Sequence, residues 1–225
     1  AGLHPVPVTS WAAVPFAVAS RIRTGTVFVP PGGSNLLGSL GYVDAARELA
    51  AQVRAGDLPE PDVCVVALGS GGTAAGLVAG LHAEGLATRV AGVCVASPPW
   101  LVRASVRRLI RACDRAVARS ATGAPPRASN ERLSIDERFL GRGYGYPSDD
   151  GAAAMRDAAS VGLLLDPTYT AKAFACALWY VRAQRAERVL YWHTLSSAPM
   201  APLLADAAAS DLLPELARLV TPDKP

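Results

Sequence analysis

Short apolar runs alternate with longer amphipathic segments along most of the chain, the pattern of strands and helices in a parallel α/β sheet. The clearest strand is Val63–Leu68, because its uninterrupted apolar residues predict burial on both faces. Runs typical of strands are Leu3–Val8, Thr26–Pro30, Val63–Leu68, Thr88–Val95 and Val189–His193. Helices are predicted for Ala12–Ile22, Gly41–Val53, a segment ending near His82, Trp100–Arg119, Asp149–Val161 and Tyr169–Arg185. This order predicts an α/β fold with a mostly parallel open sheet and helices on both faces.

A glycine-rich turn follows the Val63–Leu68 strand and leads directly into an Ala/Leu-rich helix. Its residues are Gly69, Ser70, Gly71, Gly72 and Thr73. The glycines allow positive φ angles and a close approach of backbone N–H groups to a ligand, and a helix N-terminus favours an anion. Neither the lysine of a Walker loop nor the spacing of a dinucleotide site is present. The residues therefore predict a phosphate site, with a tight connection that binds nothing as the open alternative.

Composition narrows the class of protein. Apolar residues make up 51% of the chain and charged residues 18%, so a packed globular core is expected. The net charge of +3 comes almost wholly from arginines, which are scattered except in Arg103–Arg119, so no nucleic-acid partner is predicted.

The apolar run Trp11–Ala19 is too short to span a bilayer and follows no basic segment, which predicts a cytoplasmic protein without a membrane partner. No metal site is predicted, because the cysteines lack paired short spacing and are expected as buried free thiols: Cys64, Cys94, Cys113 and Cys176.

Four motifs carry a resemblance to a known enzyme family. They are Val29-Pro30-Pro31-Gly32-Gly33-Ser34-Asn35 with Gly38, Gly41, Tyr42 and Val43; Gly69–Gly76; Tyr144-Gly145-Tyr146-Pro147; and Leu165-Asp166-Pro167-Thr168-Tyr169-Thr170-Ala171-Lys172. In this order they resemble the D-cysteine desulfhydrase and aminocyclopropane-carboxylate deaminase family, whose members are usually dimeric pyridoxal-phosphate enzymes of the tryptophan synthase β type. The resemblance covers nearly the whole chain from residue 24 onward. It implies pyridoxal 5′-phosphate as cofactor, a small amino acid as substrate and a homodimer.

The same resemblance implies roles for particular residues. The turn Gly69–Thr73 would hold the cofactor phosphate, Thr170 would lie beside the pyridine nitrogen, and Tyr144 and Tyr169 would lie near the reacting amino acid. Deaminase members carry a carboxylate in place of Thr170, whereas a hydroxyl can donate to an unprotonated ring nitrogen and leaves a weaker electron sink. The weaker sink favours α,β-elimination, so desulfhydrase chemistry is predicted. Tyr144 and Tyr169 are the candidates for proton transfer, although a tyrosine in such a loop is more often a packed rim residue.

The lysine that holds the cofactor covalently in such enzymes is expected upstream of the first motif, and the chain is expected to start after it. The sequence contains two lysines, Lys172 and Lys224. Lys172 is two helical positions from Thr170, a rotation of about 200°, so it should face away from Thr170. Lys224 lies in a proline-bounded tail. Neither is a credible Schiff-base lysine, so this polypeptide alone is not expected to run the usual chemistry without an upstream segment, which is expected to be on another chain or lost.

The segment after the last strand departs from the family pattern His-Thr-Gly-Gly-Ala-Pro. Here His193-Thr194 is followed by Leu195 and Ser196, so two glycines are replaced and one residue is added. Leu195 could crowd the pocket, and His193 could line the site or be structural. Three accounts remain open: a portion of a pyridoxal-phosphate lyase completed by an upstream segment or partner chain, a degenerate structural or regulatory partner, and a phosphate-ligand binding module. Residues 1–31 are predicted as the remnant of a small domain and residues 32–225 as the large cofactor-binding domain.

Overall fold

The computed structural model describes residues 6, 8, 10–96, 98–120, 129–196 and 198. The chain divides into two compact units, Val29–Leu195 and a second formed by Ala1–Phe28 with Ser196–Pro225. In the second unit a 3-10 turn leads into a short helix, α1 (Val14–Ala19). The predicted assignment of residues 1–31 and 32–225 to a small-domain remnant and a large domain stays a prediction.

The larger unit is built on a four-stranded sheet. Its strands are β1 (Val63–Leu68), β2 (Arg89–Cys94), β3 (Leu133–Asp136) and β4 (Val189–Tyr191). Its helices are α2 (Leu36–Ala55), α3 (Gly72–Ala83), α4 (Pro99–Ser120), α5 (Asp149–Ala159) and α6 (Thr170–Arg182). The strands pair in the order β3-β2-β1-β4, and all three pairings are parallel. The predicted parallel α/β architecture is therefore confirmed.

Helices cover both faces of the sheet, because alternate side chains of a strand point to opposite sides. On one face, Cys64 and Val66 of β1 pack in a core with α2, α3 and α4. On the other face, Val63 and Val65 of the same strand pack with α5 and α6. Residues of β1 are buried at five of its six positions, as its continuous apolar run predicts.

Two strand assignments differ from the sequence-based expectation. The segment Thr26–Pro30 is not a strand, and Val27 and Val29 are 85% and 70% exposed. Its β-branched residues favour a strand, but a segment forms a strand only where a neighbouring strand is available to pair with it. The sheet instead contains β3, a short Leu-Ser-Ile-Asp segment that is absent from the predicted strands. The predicted strand Leu3–Val8 lies outside the described residues except for Val6 and Val8, neither of which is in a strand.

Element ends shift by a few residues where side chains cap helices. The helix α2 begins at Leu36 and not at Gly41, because the Asn35 side chain accepts a hydrogen bond from the Gly38 N–H at 2.8 Å. The strand β4 ends at Tyr191, although the Trp192 N–H still donates to the Val65 carbonyl.

The four cysteines are buried and free, as predicted. Burial raises the pKa of the Cys64 thiol to about 12, which makes it unreactive at neutral pH. Among the described helices none combines the length and the apolar character that a membrane crossing requires.

Candidate functional site

The glycine turn lies where the sheet changes winding direction. From β1 the chain proceeds to β2 and β3 on one side, whereas β4 joins the other side of β1. In open α/β sheets the crevice at the carboxyl ends of the strands flanking such a switch point is the usual ligand site. Residues 69–71 follow β1 at this edge, and His193 follows β4 there.

The geometry of the turn matches an anion cradle. Gly71 has a φ of +101°, and a Cβ atom added there would lie 3.0 Å from the Val106 Cβ of α4. The first intrahelical hydrogen bond of α3 joins the Ala75 N–H to the Gly71 carbonyl at 2.9 Å. Within the described residues, the N–H groups of Thr73 and Ala74 have no acceptor. Two amides at a helix N-terminus are thus left for a ligand.

A second glycine turn packs against the first. It is the 3-10 turn Pro31–Gly33, and it places the Ser34 hydroxyl oxygen 2.6 Å from that of Ser70. The Gly72 N–H donates to the same Ser34 oxygen at 3.2 Å. A Cβ atom on Gly32 would overlap the Ser70 hydroxyl, so glycine is needed for this approach. The resemblance included Ser34 in a motif but assigned it no role.

Tyr144 and Tyr169 form a hydroxyl pair beside the turn. Their hydroxyl oxygens are 2.6 Å apart and their rings meet edge to face. The Tyr169 ring lies against Gly69, where an added Cβ would be 3.3 Å from Tyr169 Cε1. Burial, aided by the bond to Tyr144, raises the pKa of Tyr169 to about 12. Tyr169 therefore keeps its proton at neutral pH and is suited to donate it, while Tyr144 is 53% exposed and accessible to a ligand.

Thr170 is held at the start of α6 by Asp166. Its hydroxyl donates to the Asp166 Oδ2 at 2.5 Å and accepts from the Asp166 N–H at 2.6 Å, and the residue is only 2% exposed. Burial opposes ionisation of Asp166, but the Thr170 hydroxyl and the amides of Thr168, Tyr169 and Thr170 outweigh it and lower the pKa of this carboxyl. The proton of Thr170 is therefore engaged by a carboxylate. The predicted place of Thr170 beside a pyridine nitrogen stays a prediction.

The Lys172 side chain binds the loop that precedes Tyr144. It is fully buried, and its Nζ donates to the carbonyls of Leu140 and Gly143 at 2.8 and 3.0 Å. Burial lowers the pKa of this amine. These contacts agree with the helical-rotation argument that excluded Lys172 as the cofactor lysine, whereas Lys224 lies outside the described residues.

The strand end after β4 brings a histidine toward the same edge. The Tyr191 hydroxyl lies 3.2 Å from the His193 Nδ1 and donates to the Thr170 carbonyl at 3.2 Å. His193 is exposed, and Leu195 is half-buried. The strand β4 and the helix α6 are thus joined at the switch point by one tyrosine.

The fold and the turn define an α/β protein with a glycine turn suited to an anion at the carboxyl edge of a parallel sheet. Comparison with known proteins shows the family to which this α/β protein belongs. The model of the pyridoxal-phosphate dependent enzymes matches residues 5–194, so the chain belongs to that family. The D-cysteine desulfhydrase of Yersinia pestis (strain Pestoides F) is 37% identical over 170 residues, covering 74% of this chain and 49% of that protein.

A second curated relative and a solved structure are also similar to this chain. A putative 1-aminocyclopropane-1-carboxylate deaminase of Thermotoga maritima is 34% identical over 169 residues, covering 74% of this chain and 50% of that protein. The crystal structure of an ACC deaminase homologue matches with a TM-score of 0.60 and 28% identity over 74% of this chain and 48% of the other. This match confirms the predicted tryptophan synthase β-like fold. The chain spans about half the length of the curated relatives it matches.

The residues present fit the phosphate of the cofactor that the family uses. A positive φ at Gly71, and the amides of Thr73 and Ala74 without acceptors among the described residues, suit an anionic group such as a phosphate. Sequence reasoning identified this turn and the tyrosine pair, but it missed Ser34 and Asp166. A turn signal, the Asp166-Pro167 pair, could have identified Asp166, because an aspartate in a turn commonly accepts from the backbone N–H two residues on, as it does here from Thr168.

Proposed function

We propose that the chain is the C-terminal portion of a pyridoxal-phosphate dependent lyase that acts on a small amino acid by α,β-elimination. The products would be a keto acid, ammonia and, for a β-thiol substrate, sulfide. The observation that carries this proposal is the turn Gly69–Thr73, whose amides lie at the switch point of the sheet. The D-cysteine desulfhydrases among the relatives supply the substrate class.

In this proposal the chain binds the cofactor through its phosphate. The amides of Thr73 and Ala74 and the hydroxyls of Ser70 and Thr73 are the donors, and the positive end of the α3 dipole favours the dianion. When bound, pyridoxal phosphate supplies an electron sink for the substrate's α carbon. The chain's own residues then orient the substrate and move protons.

Tyr169 is the proposed proton donor, and Tyr144 is its partner. Because its pKa is raised to about 12, the Tyr169 hydroxyl stays protonated at neutral pH and can donate to a departing β-substituent. The exposed Tyr144 shares a hydrogen bond with it at 2.6 Å and can pass a proton from solvent. Thr170 is proposed as the partner of the cofactor ring nitrogen, and donation to that nitrogen would require its hydroxyl to leave the Asp166 carboxylate.

The cofactor lysine is proposed to come from a segment outside these 225 residues, since the Lys172 amine is buried against two carbonyls. That segment, on this polypeptide or on a partner chain, would complete the site, and we propose that the complete protein is a homodimer. The alternative is a degenerate, non-catalytic partner, which the replacement of two glycines by Leu195 and Ser196 favours.

Cofactor binding is tested by titrating the chain with pyridoxal phosphate and following tryptophan fluorescence. Gly71→Ala should weaken binding at least tenfold, because it strains a φ of +101° and moves the turn. The matched control is Gly85→Ala, which strains a φ of +75° at a position with open space around it, away from the turn. If Gly71→Ala does not fold, Thr73→Ala replaces it as the test variant, because it removes a proposed hydroxyl donor without straining the backbone. Failure of the parent chain to bind the cofactor would refute the proposal.

The reaction is tested on the native preparation by borohydride reduction, intact-mass spectrometry and a sulfide assay with each enantiomer of cysteine. A pyridoxyl adduct on a companion polypeptide, with sulfide release, supports the lyase. An adduct on Lys172 or Lys224 would contradict the external lysine. Cofactor binding with neither adduct nor sulfide would replace the lyase with the degenerate partner.

A further inference from the structure

We propose that Ser34 is a phosphate-binding residue, so that the site is formed by two glycine turns and not by one. Ser34 and Ser70 would act as a coupled hydroxyl pair that donates one hydrogen bond to the cofactor phosphate. This inference rests on the proposed binding of pyridoxal phosphate at the turn after β1, and it assigns chemistry to the Pro31–Asn35 turn.

The hydrogen-bond inventory of the pair leaves one hydrogen for a ligand. The two hydroxyls together carry two hydrogens, and one of them lies between the oxygens of Ser34 and Ser70, 2.6 Å apart. The Ser34 oxygen also accepts from the Gly72 N–H at 3.2 Å. Within the described part of the chain neither hydroxyl has a further partner. Whichever serine donates within the pair, the other retains a hydrogen that can be directed to an anion.

The position of Ser34 is set by its neighbours. The Ser34 N–H donates to the Pro31 carbonyl at 3.4 Å, and the next residue, Asn35, caps α2 with its side chain. Gly32 has no side chain, which leaves room for the Ser70 hydroxyl beside the turn. The serine is thus held between a 3-10 turn and a helix N-terminus, which reduces the entropy lost when it binds a ligand.

Two helix dipoles reinforce the site. Ser34 directly precedes the N-cap of α2, a helix of 20 residues, and its oxygen contacts the first amide of α3. The positive ends of both helices therefore meet at the hydroxyl pair, where a phosphate is favoured over a neutral ligand. An uncharged analogue of the cofactor should gain nothing from Ser34.

The test compares Ser34→Ala with the parent chain against three probes: pyridoxal phosphate, pyridoxal and inorganic phosphate. We expect about tenfold weaker binding of the two phosphate-bearing probes and unchanged binding of pyridoxal. Ser34→Ala leaves the Ser70 hydroxyl with a hydrogen to donate but removes the neighbour, 2.6 Å away, that positions and polarises it. The matched control is Ser105→Ala, because Ser105 also contacts Ser70 but donates to its backbone carbonyl at 3.3 Å. That variant should bind all three probes as the parent does.

A double-mutant cycle tests the coupling. If the hydroxyls act as one unit, Ser34→Ala with Ser70→Ala should weaken phosphate binding by less than the product of the two single effects. Ser34→Cys preserves the volume with a weak donor and replaces Ser34→Ala if that variant unfolds.

Equal losses for pyridoxal and pyridoxal phosphate would show a merely structural role and overturn the inference. Tighter phosphate binding by Ser34→Ala would overturn it too, because the serine would then be a competitor for the Gly72 amide. If the parent chain fails to bind pyridoxal phosphate, the proposed function falls and takes this inference with it. If the parent binds and Ser34→Ala binds equally well, only the inference falls.

Discussion

Lys172 is a fully buried amine that the fold uses to hold a loop. The two carbonyls it contacts, those of Leu140 and Gly143, belong to the turn that leads to Tyr144. We expect Lys172→Met to lower the free energy of unfolding by about 2 kcal/mol, because the buried Gly143 carbonyl and the half-buried Leu140 carbonyl lose their donor. Urea unfolding at pH 7 measures the change. A variant as stable as the parent would show that the turn does not depend on this amine.

Asp166 should make the stability of the chain sensitive to acid. Because its pKa in the folded chain lies below the ordinary 3.8, its contribution is present above about pH 4 and is lost as the pH falls through the folded value. At pH 7, Asp166→Asn should cost about 1–2 kcal/mol, because an amide oxygen lacks the charge that strengthens the hydrogen bonds from the amides of Thr168, Tyr169 and Thr170. Thermal unfolding from pH 7 to pH 3 should show the parent and the variant converging in acid.

The control for Asp166 is Asp157→Asn. Asp157 pairs with Arg182 at 2.8 Å on the surface, so its loss should change stability by less than about 1 kcal/mol. A gap between the parent and Asp166→Asn that stays constant down to pH 3 would contradict the role given to the carboxylate charge.

At the scale of elements, α2 and α3 approach closely through glycine. A Cβ atom on Gly76 of α3 would overlap the Ser39 carbonyl oxygen and lie 2.6 Å from the Tyr42 Cβ. Gly76→Ala should therefore destabilise the chain by about 1–3 kcal/mol, although alanine is the better helix former. Gly41→Ala, at an open position in α2, should instead stabilise it by about 0.5–1 kcal/mol. Chemical denaturation measures the free energy of unfolding of both variants. Equal changes for the two substitutions would refute the packing argument.

The elements that could be predicted from sequence are those whose signal is local. The run Val63–Leu68 and the glycines after it identify a buried strand and an anion turn without any tertiary information. Thr26–Pro30 and Leu133–Asp136 show the opposite case, because whether a short apolar run becomes a strand depends on an available sheet edge. The role of Ser34 also depends on a contact that is distant in the sequence, because its partner Ser70 is 36 positions away. Local sequence patterns therefore could not place Ser34.

At the scale of the whole molecule, the sheet brings both glycine turns and the end of β4 to one edge. A ligand that binds this edge in the folded unit alone adds its binding free energy to the stability of that unit. With pyridoxal phosphate at one hundred times its dissociation constant, the free energy of unfolding should rise by about 2.7 kcal/mol. Thermal unfolding at increasing cofactor concentration measures this rise.

The control for this stabilisation is pyridoxal, which lacks the phosphate and should raise the midpoint far less at the same concentration. In Gly71→Ala, pyridoxal phosphate should no longer raise the midpoint of thermal unfolding. Gly85→Ala should unfold at a lower midpoint than the parent, but pyridoxal phosphate should still raise that midpoint. If both compounds stabilise equally, the ligand site is not the phosphate turn. A midpoint that pyridoxal phosphate leaves unchanged at saturating concentration would show that the edge does not bind the cofactor at all, because any ligand that prefers the folded state must shift the unfolding equilibrium.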